Sequence, residues 1–260
     1  MGRWKHFYIV RIQFLGFRYH GWQKQPDVKS VHEMVDKTLA YALENDAYKT
    51  LGCGRTDAKV SAEDYAFELF VERPIADDFL TVFNHNLPAD IRGLSVQKTD
   101  ASFNIIQHTK VKEYRYGFSF GEKPHPFTAP FTQAFGTYLN LGKMSEAAAL
   151  YEGTHNFQHF VKKPGEGTIL TREILLSSIE PNNSGWLSAS GVNSFIYRVK
   201  SAGFMRYQVR LMMGALILVG KEEWTLEDFQ NTLQGAPPPT TLHPVPASGL
   251  VLHKIWFENQ

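Results

Sequence analysis

Six consecutive residues carry the chemistry that is easiest to read. Gly52-Cys53-Gly54-Arg55-Thr56-Asp57 places two glycines, an arginine and a carboxylate in one short segment. The glycines let a backbone turn tightly and let a substrate come close to it. An arginine beside an aspartate favours the ionised carboxylate, because the opposite charge lowers its pKa. An ionised, partly desolvated carboxylate can serve as a nucleophile. The structural alternative is a turn whose Arg55–Asp57 pair merely fixes the loop. No metal chemistry competes, since the 10 histidines are scattered and do not combine with the one cysteine at metal-ligand spacing. Cys53 reads as a small turn residue, without a charge environment that would make its thiol reactive.

The elements that must position this segment follow from periodicity. His6 to Phe14 alternates as a strand, and Phe17 to Pro26 is a polar, aromatic loop. Ser30 and Glu33 fit a capping box that opens a helix, with Val31, Met34, Val35, Thr38, Leu39 and Ala42 at helical spacing. Thr50 to Gly54 leads into a turn, Val60 to Val71 reads as a strand, Ile75 to Phe83 as a short helix and Ile91 to Lys98 as a strand. The stretch from Thr99 to Thr109 lacks periodicity and divides the chain into 1–105 and 106–260. Beyond it, Lys110 to Phe120 alternates so that Tyr114, Tyr116, Phe118 and Phe120 share a face. Met144 to Tyr151 is helical, while Arg172 to Ile179 and Asn193 to Ser201 are strands flanking a turn at Asn182 to Gly185. Met205 to Val219 is a mostly apolar helix, Thr225 opens another, and Gly249 to Phe257 is a closing strand. Strand, helix, two strands, helix, strand occurs roughly twice. The expected fold is α+β: two similar halves, each an antiparallel sheet with helices on one face, with the active-site cleft between them.

Composition narrows the class. Hydrophobic residues at 43% and charged residues at 20% describe a soluble globular chain. One cysteine cannot close an internal disulfide, so a reducing cytoplasm is the expected setting. Leu211 to Val219 is too short to span a bilayer, and Arg3, Lys5 and Arg11 interrupt any signal-peptide core. The net charge is only +1, but it is segregated. Residues 1–26 hold 5 Lys/Arg and no acid, residues 181–221 hold 5 more and no acid, and residues 27–90 hold 13 acids. Such segregation can build a basic face for phosphates, or it can be an ordinary solvated surface.

The motifs then point to a family. Gly52 to Ala62, GCGRTDAKVSA, closely resembles the G-A-G-R-T-D-A-G-V-H-A signature of the TruA family of tRNA pseudouridine synthases. Gly21-Trp22-Gln23 with Gln25 is similar to the family's G-W-Q-x-Q element. Tyr114-Arg115-Tyr116, Gly203-Phe204-Met205 with Val209-Arg210, and Pro246-Ala247-Ser248-Gly249-Leu250 resemble its later motifs, in family order. Four departures stand out: Lys59 for glycine, Ser61 for histidine, Leu15 for aspartate and Leu211 for asparagine.

The resemblance implies roles. Asp57 matches the catalytic aspartate and Arg55 the arginine near the flipped nucleotide. Tyr114 matches the tyrosine that stacks on the target base, Arg210 the arginine that pairs with the catalytic carboxylate, and Leu250 an apolar pocket contact. Lys24, Lys59 and Arg206 are the candidate RNA-phosphate contacts. On pattern alone Tyr114 and Leu250 would be core, and Arg210 a buried cation needing a partner. If the chain is extended past Asp57, Lys59 lies on the same side as Asp57; a solvent-facing lysine in a loop indifferent to glycine's φ range is the alternative. The implied reaction is uridine isomerisation in the anticodon stem-loop of tRNA, at positions 38, 39 and 40, by a homodimer without cofactor or metal. An inactive RNA-binding paralogue is the alternative from another class.

Overall fold

The computed structural model describes residues 3–183 and 193–258. The expected turn at Asn182 to Gly185 lies partly outside them. Among the described residues the chain is mixed α/β, with ten strands and five α-helices. It divides into two compact units, Met1–Lys110 with Leu252–Gln260, and Val111–Val251.

The first unit is built on a sheet. Its strands are β1 (His6–Phe14), β2 (Tyr48–Gly52), β3 (Ser61–Val71), β4 (Ile91–Thr99) and, from Leu252 onward, the final strand β10 (Leu250–Phe257). The order is β4-β1-β3-β10, with β2 also paired to β3. β1 runs antiparallel to both β3 and β4. Its register with β3 shifts between Ile12 and Phe14, so Glu63 and Asp64 together oppose Gln13. Such a bulge bends the strand and re-aims side chains. Asp64 receives both Arg11 Nη1, at 2.7 Å, and the Ile255 amide, at 3.4 Å, while Glu63 pairs with His253 Nδ1. The bulge thus supplies carboxylates that hold β10 in this unit.

Helix α1 (Val31–Ala42) starts at Ser30, whose hydroxyl accepts from the Glu33 amide at 3.2 Å. The Glu33 carboxylate accepts from Lys37 at 2.6 Å. Helix α2 runs over Phe79–Asn86, later than expected from the sequence. The Ile75 amide donates instead to the Tyr8 hydroxyl, so the chain leaving β3 is spent on the sheet before it can coil.

The second unit contains β5 (Thr109–Phe120), β6 (Gln133–Phe135), β7 (Gly153–Asn156), β8 (Thr171–Pro181) and β9 (Ser194–Ser201). Their order is β5-β9-β8-β7, antiparallel, with β6 added parallel to β5. Helices α3 (Leu141–Ala149), α4 (Gln208–Gly220) and α5 (Leu226–Leu233) complete it. α4 is apolar all round, and eleven of its residues are buried, as expected for a helix at the centre of a core. Tyr151 caps this core: its hydroxyl donates to the Met212 carbonyl at 3.1 Å, and its ring packs on Phe157, Phe160 and Phe229. α4 begins at Gln208 rather than Met205, because Tyr207 takes a left-handed backbone at φ 63° and the Gln208 side chain caps the Met205 amide at 2.9 Å.

The segregated charges of the sequence meet in space. Arg3 pairs with Glu72, Arg11 with Asp64, Arg18 with Asp90 and Lys24 with Asp36. In the second unit Arg198, Lys200 and Arg115 converge on Glu113 at 2.9, 3.1 and 3.4 Å. Burial alone would raise the Glu113 carboxyl, but Lys200 and Arg198 outweigh it and hold it below the usual range. Much of the acid-free sequence is therefore ion-paired, which corrects the simple basic-face reading.

Gly214 shows how tightly α4 is fitted. A Cβ there would lie 2.5 Å from the His243 carbonyl oxygen. Alanine would gain about 1 kcal/mol in helix propensity, but pushing the 243–245 backbone away costs roughly 1–3 kcal/mol. Gly214→Ala is expected to lower stability in urea unfolding. An increase would show that this approach does not limit packing.

Candidate active site

Within the first unit, two of the sequence motifs interlock. The Trp22 amide donates to Thr56 Oγ1 at 3.0 Å. Gly21, at φ 82°, passes so close to the Asp57 arc that a Cβ would lie 2.2 Å from the Thr56 carbonyl oxygen. Gly52 is needed for space rather than for turning. A Cβ there would meet the Tyr65 hydroxyl at 2.3 Å and Trp22 Nε1 at 2.4 Å. The Trp22 ring is sandwiched: it stacks on His32, centroids 4.8 Å apart and 6° from parallel, and lies 4.3 Å from Tyr65. Tyr65 in turn donates from its hydroxyl to the Gly54 carbonyl at 2.6 Å. Two buried rings and three hydrogen-bonded or close backbone contacts thus hold residues 52–56.

Asp57 itself is half-buried and Arg55 is exposed. A turn follows, closed by the Val60 amide on the Asp57 carbonyl at 3.3 Å. The chain is therefore not extended past Asp57, and alternation cannot place Lys59. Lys59 is exposed and sits at φ 68°, the left-handed region that favours glycine. The loop does need glycine's φ range; the lysine carries that strain, while its amide donates to the Tyr19 carbonyl at 2.9 Å. Ser61 has a structural task, since its buried hydroxyl accepts from the Gly16 amide at 2.9 Å.

The other three motifs interlock within the second unit. The Tyr116 hydroxyl donates to the Pro246 carbonyl at 2.8 Å, and burial pushes this phenol well above its ordinary pKa. Gly249 lies against Tyr116 and the Gly117 carbonyl, where a Cβ would come within 2.7 Å. Arg210 Nε donates to the Val245 carbonyl at 2.7 Å, and its guanidinium lies 4.9 Å from the Tyr207 ring centroid. Tyr114 differs from its strand neighbours: Tyr116, Phe118 and Phe120 are buried, whereas Tyr114 is half-buried and meets Phe204 edge-on at 5.3 Å. Leu250 is buried. Arg206 is exposed beside Tyr207, with 5.2 Å from guanidinium to ring. Lys24 is committed to Asp36.

Sequence reasoning missed His32 and Tyr65. Neither carries a motif signal; each is recognisable only by the ring it touches. Among the described residues no cluster of histidine, cysteine and carboxylates could hold a metal ion, and no helix is long and apolar enough to cross a membrane.

Comparison with known proteins agrees with these interlocked motifs. A family described as tRNA pseudouridine synthase matches residues 147–258, which include Arg210 and Leu250. The tRNA pseudouridine synthase A of Aquifex aeolicus is 28% identical over 250 residues, covering 95% of this chain and 98% of that protein. That of Aster yellows witches'-broom phytoplasma is 29% identical, covering 96% and 98%. The archaeal box H/ACA sRNP Nop10-Cbf5 complex aligns with a TM-score of 0.36 at 17% identity, over 84% of this chain and 54% of that one, a score on which nothing is built. The similarity is near end-to-end and extends beyond the segment that the family model matches. Over almost its whole length the chain is similar to proteins described as tRNA pseudouridine synthase A.

His32 gives this region a pH dependence. Burial, followed by the charge of Lys24, lowers its pKa from 6.5 to about 4. The unfolded chain therefore takes up a proton that the folded chain refuses as pH falls below the unfolded value. Stability from this group is complete above about pH 6.5 and is lost down to about pH 4, about 3 kcal/mol in all. Urea unfolding of wild type and His32→Gln at about pH 7 and about pH 4.5 checks this. The loss on acidification is expected to be smaller in the variant, and equal losses would refute the assignment.

Proposed function

We propose that this protein isomerises uridine to pseudouridine in tRNA, with Asp57 as the nucleophile. The observation that carries the reading is the half-buried carboxylate at the end of an arc held by Gly21 and Trp22, two residues of a second family motif. In the reaction the N1–C1′ glycosidic bond breaks, the uracil rotates, and C5 bonds to C1′. The proton on C5 is lost and N1 ends protonated, so atoms and electrons balance without a redox partner. Asp57 attacks the base or the sugar and is regenerated at the end.

The target base must leave its stack to reach such a carboxylate. Tyr114, half-buried with its ring edge on Phe204, is assigned to stacking on the flipped uracil. Base–aromatic stacking is worth about 1–3 kcal/mol. Arg210 and Leu250 are assigned to the same nucleotide, and the Val245 and Pro246 carbonyl contacts are what position their segment. Exposed Arg55 is assigned to the flipped nucleotide, and exposed Lys59 and Arg206 to backbone phosphate. Lys24 is a weaker candidate, because phosphate must compete with Asp36. The finer assignment is to positions 38, 39 and 40 of the anticodon stem-loop, by a homodimer.

The test is direct. Unmodified tRNA incubated with wild type, without added cofactor, is expected to gain pseudouridine. Asp57→Asn retains shape and hydrogen bonding but removes the charged nucleophile, so turnover is expected to vanish while tRNA binding persists. Turnover by Asp57→Asn would overturn the mechanism. For the phosphate contacts, Lys59→Gln is expected to make the slope of log K on log salt shallower by roughly 0.7–0.9. An unchanged slope would remove Lys59 from the interface.

A further inference from the structure

We propose that Tyr65 is a positioning residue for the reaction, fixing the Asp57 arc through its hydrogen bond to the Gly54 carbonyl. The inference rests on the functional reading above.

The geometry is specific to the hydroxyl. Tyr65 lies on β3, with its ring 4.3 Å from Trp22 and 5.7 Å edge-on from Phe14. Only 1% of the residue is exposed, so the ring cannot swing away. Its hydroxyl reaches the Gly54 carbonyl at 2.6 Å. That carbonyl lies three residues before Asp57. The two glycines flanking Cys53 leave this part of the chain with few side-chain constraints of its own. The Thr56 contact with the Trp22 amide fixes the arc at its other end, so the segment between is pinned at both sides. The space that Gly52 leaves is what admits the Tyr65 hydroxyl, since a Cβ there would sit 2.3 Å from it. A hydrogen bond at such a place sets where the carboxylate stands rather than how tightly RNA binds. Small misplacements of reacting groups are costly: about 1 Å can lose on the order of a hundredfold in rate.

Tyr65→Phe retains both ring contacts and removes only the hydroxyl. Its kcat on tRNA is expected to fall about ten- to a hundredfold, with KM and tRNA affinity within about twofold of wild type. Phe83→Leu, a substitution in the buried face of α2, supplies the stability control. It is expected to lower the thermal midpoint at least as far yet retain kcat. Gly52→Ala is the second variant: it leaves Tyr65 intact but forces its hydroxyl, and the Trp22 ring edge beside it, to move, and the same kcat-selective loss is expected. If Tyr65→Phe does not fold, Gly52→Ala decides. Wild-type kcat in any folded one of these two variants overturns the inference alone. So does a kcat loss in Phe83→Leu equal to that in Tyr65→Phe, since general destabilisation would then explain both. A wild-type protein that forms no pseudouridine overturns the functional reading and the inference with it.

Discussion

The ring of Trp22 is the contact on which the Asp57 arc depends. It is buried between His32 on one side and Tyr65 on the other, and its own backbone amide holds Thr56. Two absent Cβ atoms make this possible. Gly21 admits the Thr56 carbonyl and Gly52 admits the two ring edges. In both places the obstacle to a larger residue is either backbone or a buried ring, neither of which can move cheaply. A flexible, glycine-rich segment is thereby given a single conformation by its surroundings. Its own sequence could not do so, because glycine loses more conformational freedom on ordering than any other residue. A carboxylate at the end of an unpinned glycine loop would spend little time at a reacting geometry.

The same logic separates what was legible in the sequence from what was not. Long strands such as His6–Phe14, Ser61–Val71 and Thr109–Phe120 were legible, because runs rich in β-branched and aromatic residues between turn signals mark buried strands. The Ser30 and Thr225 caps were legible because capping is a local exchange between a side chain and a nearby amide. Short strands such as Tyr48–Gly52 and Gly153–Asn156 were missed, since they owe their pairing to a neighbour already in place. Tyr207 and Lys59 were misread for a related reason. Each holds a left-handed backbone that nothing in its residue type announces, and in each case surrounding contacts outweigh the steric cost. The order of the motifs was legible; which ones would touch was not.

Charge was the least transferable signal. An acid-free run in sequence says nothing about the acids that the fold brings beside it. Arg11 finds Asp64 on β3, and Arg198 and Lys200 find Glu113 across β5 and β9. The register explains the second case. Arg115 lies directly opposite Arg198, and Glu113 opposite Lys200. Two arginines facing each other across a ladder repel, and such pairs destabilise a sheet. The buried Glu113 carboxylate reaches all three cations and offsets that repulsion. Removing it would leave the cations facing one another, so its first consequence is for the sheet. A phosphate seeking these groups would have to compete with a carboxylate already in place. Arg55, Lys59 and Arg206 stand exposed, so a phosphate approaching them would meet no buried carboxylate of this kind.

The two interlocked motif groups explain why the matching residues are spread so widely along the chain. Each contains one or two groups proposed to meet the substrate and several that only hold backbone. In the first unit Asp57 is the proposed nucleophile, while Gly21, Trp22, Gly52 and Thr56 fix its arc. In the second, Tyr114 and Arg210 are the residues proposed to meet the nucleotide, while Tyr116, Pro246 and Gly249 tie the segments that carry them. The holding residues work by hydrogen bonds to carbonyls and by leaving room for backbone. Neither device tolerates a change of size, whereas a surface contact such as Lys59 tolerates even a strained φ. That asymmetry accounts for two of the four departures from the family pattern. The departures at Lys59 and Ser61 fall on an exposed turn and on a hydroxyl that still finds an amide, and the arc that presents Asp57 is left undisturbed.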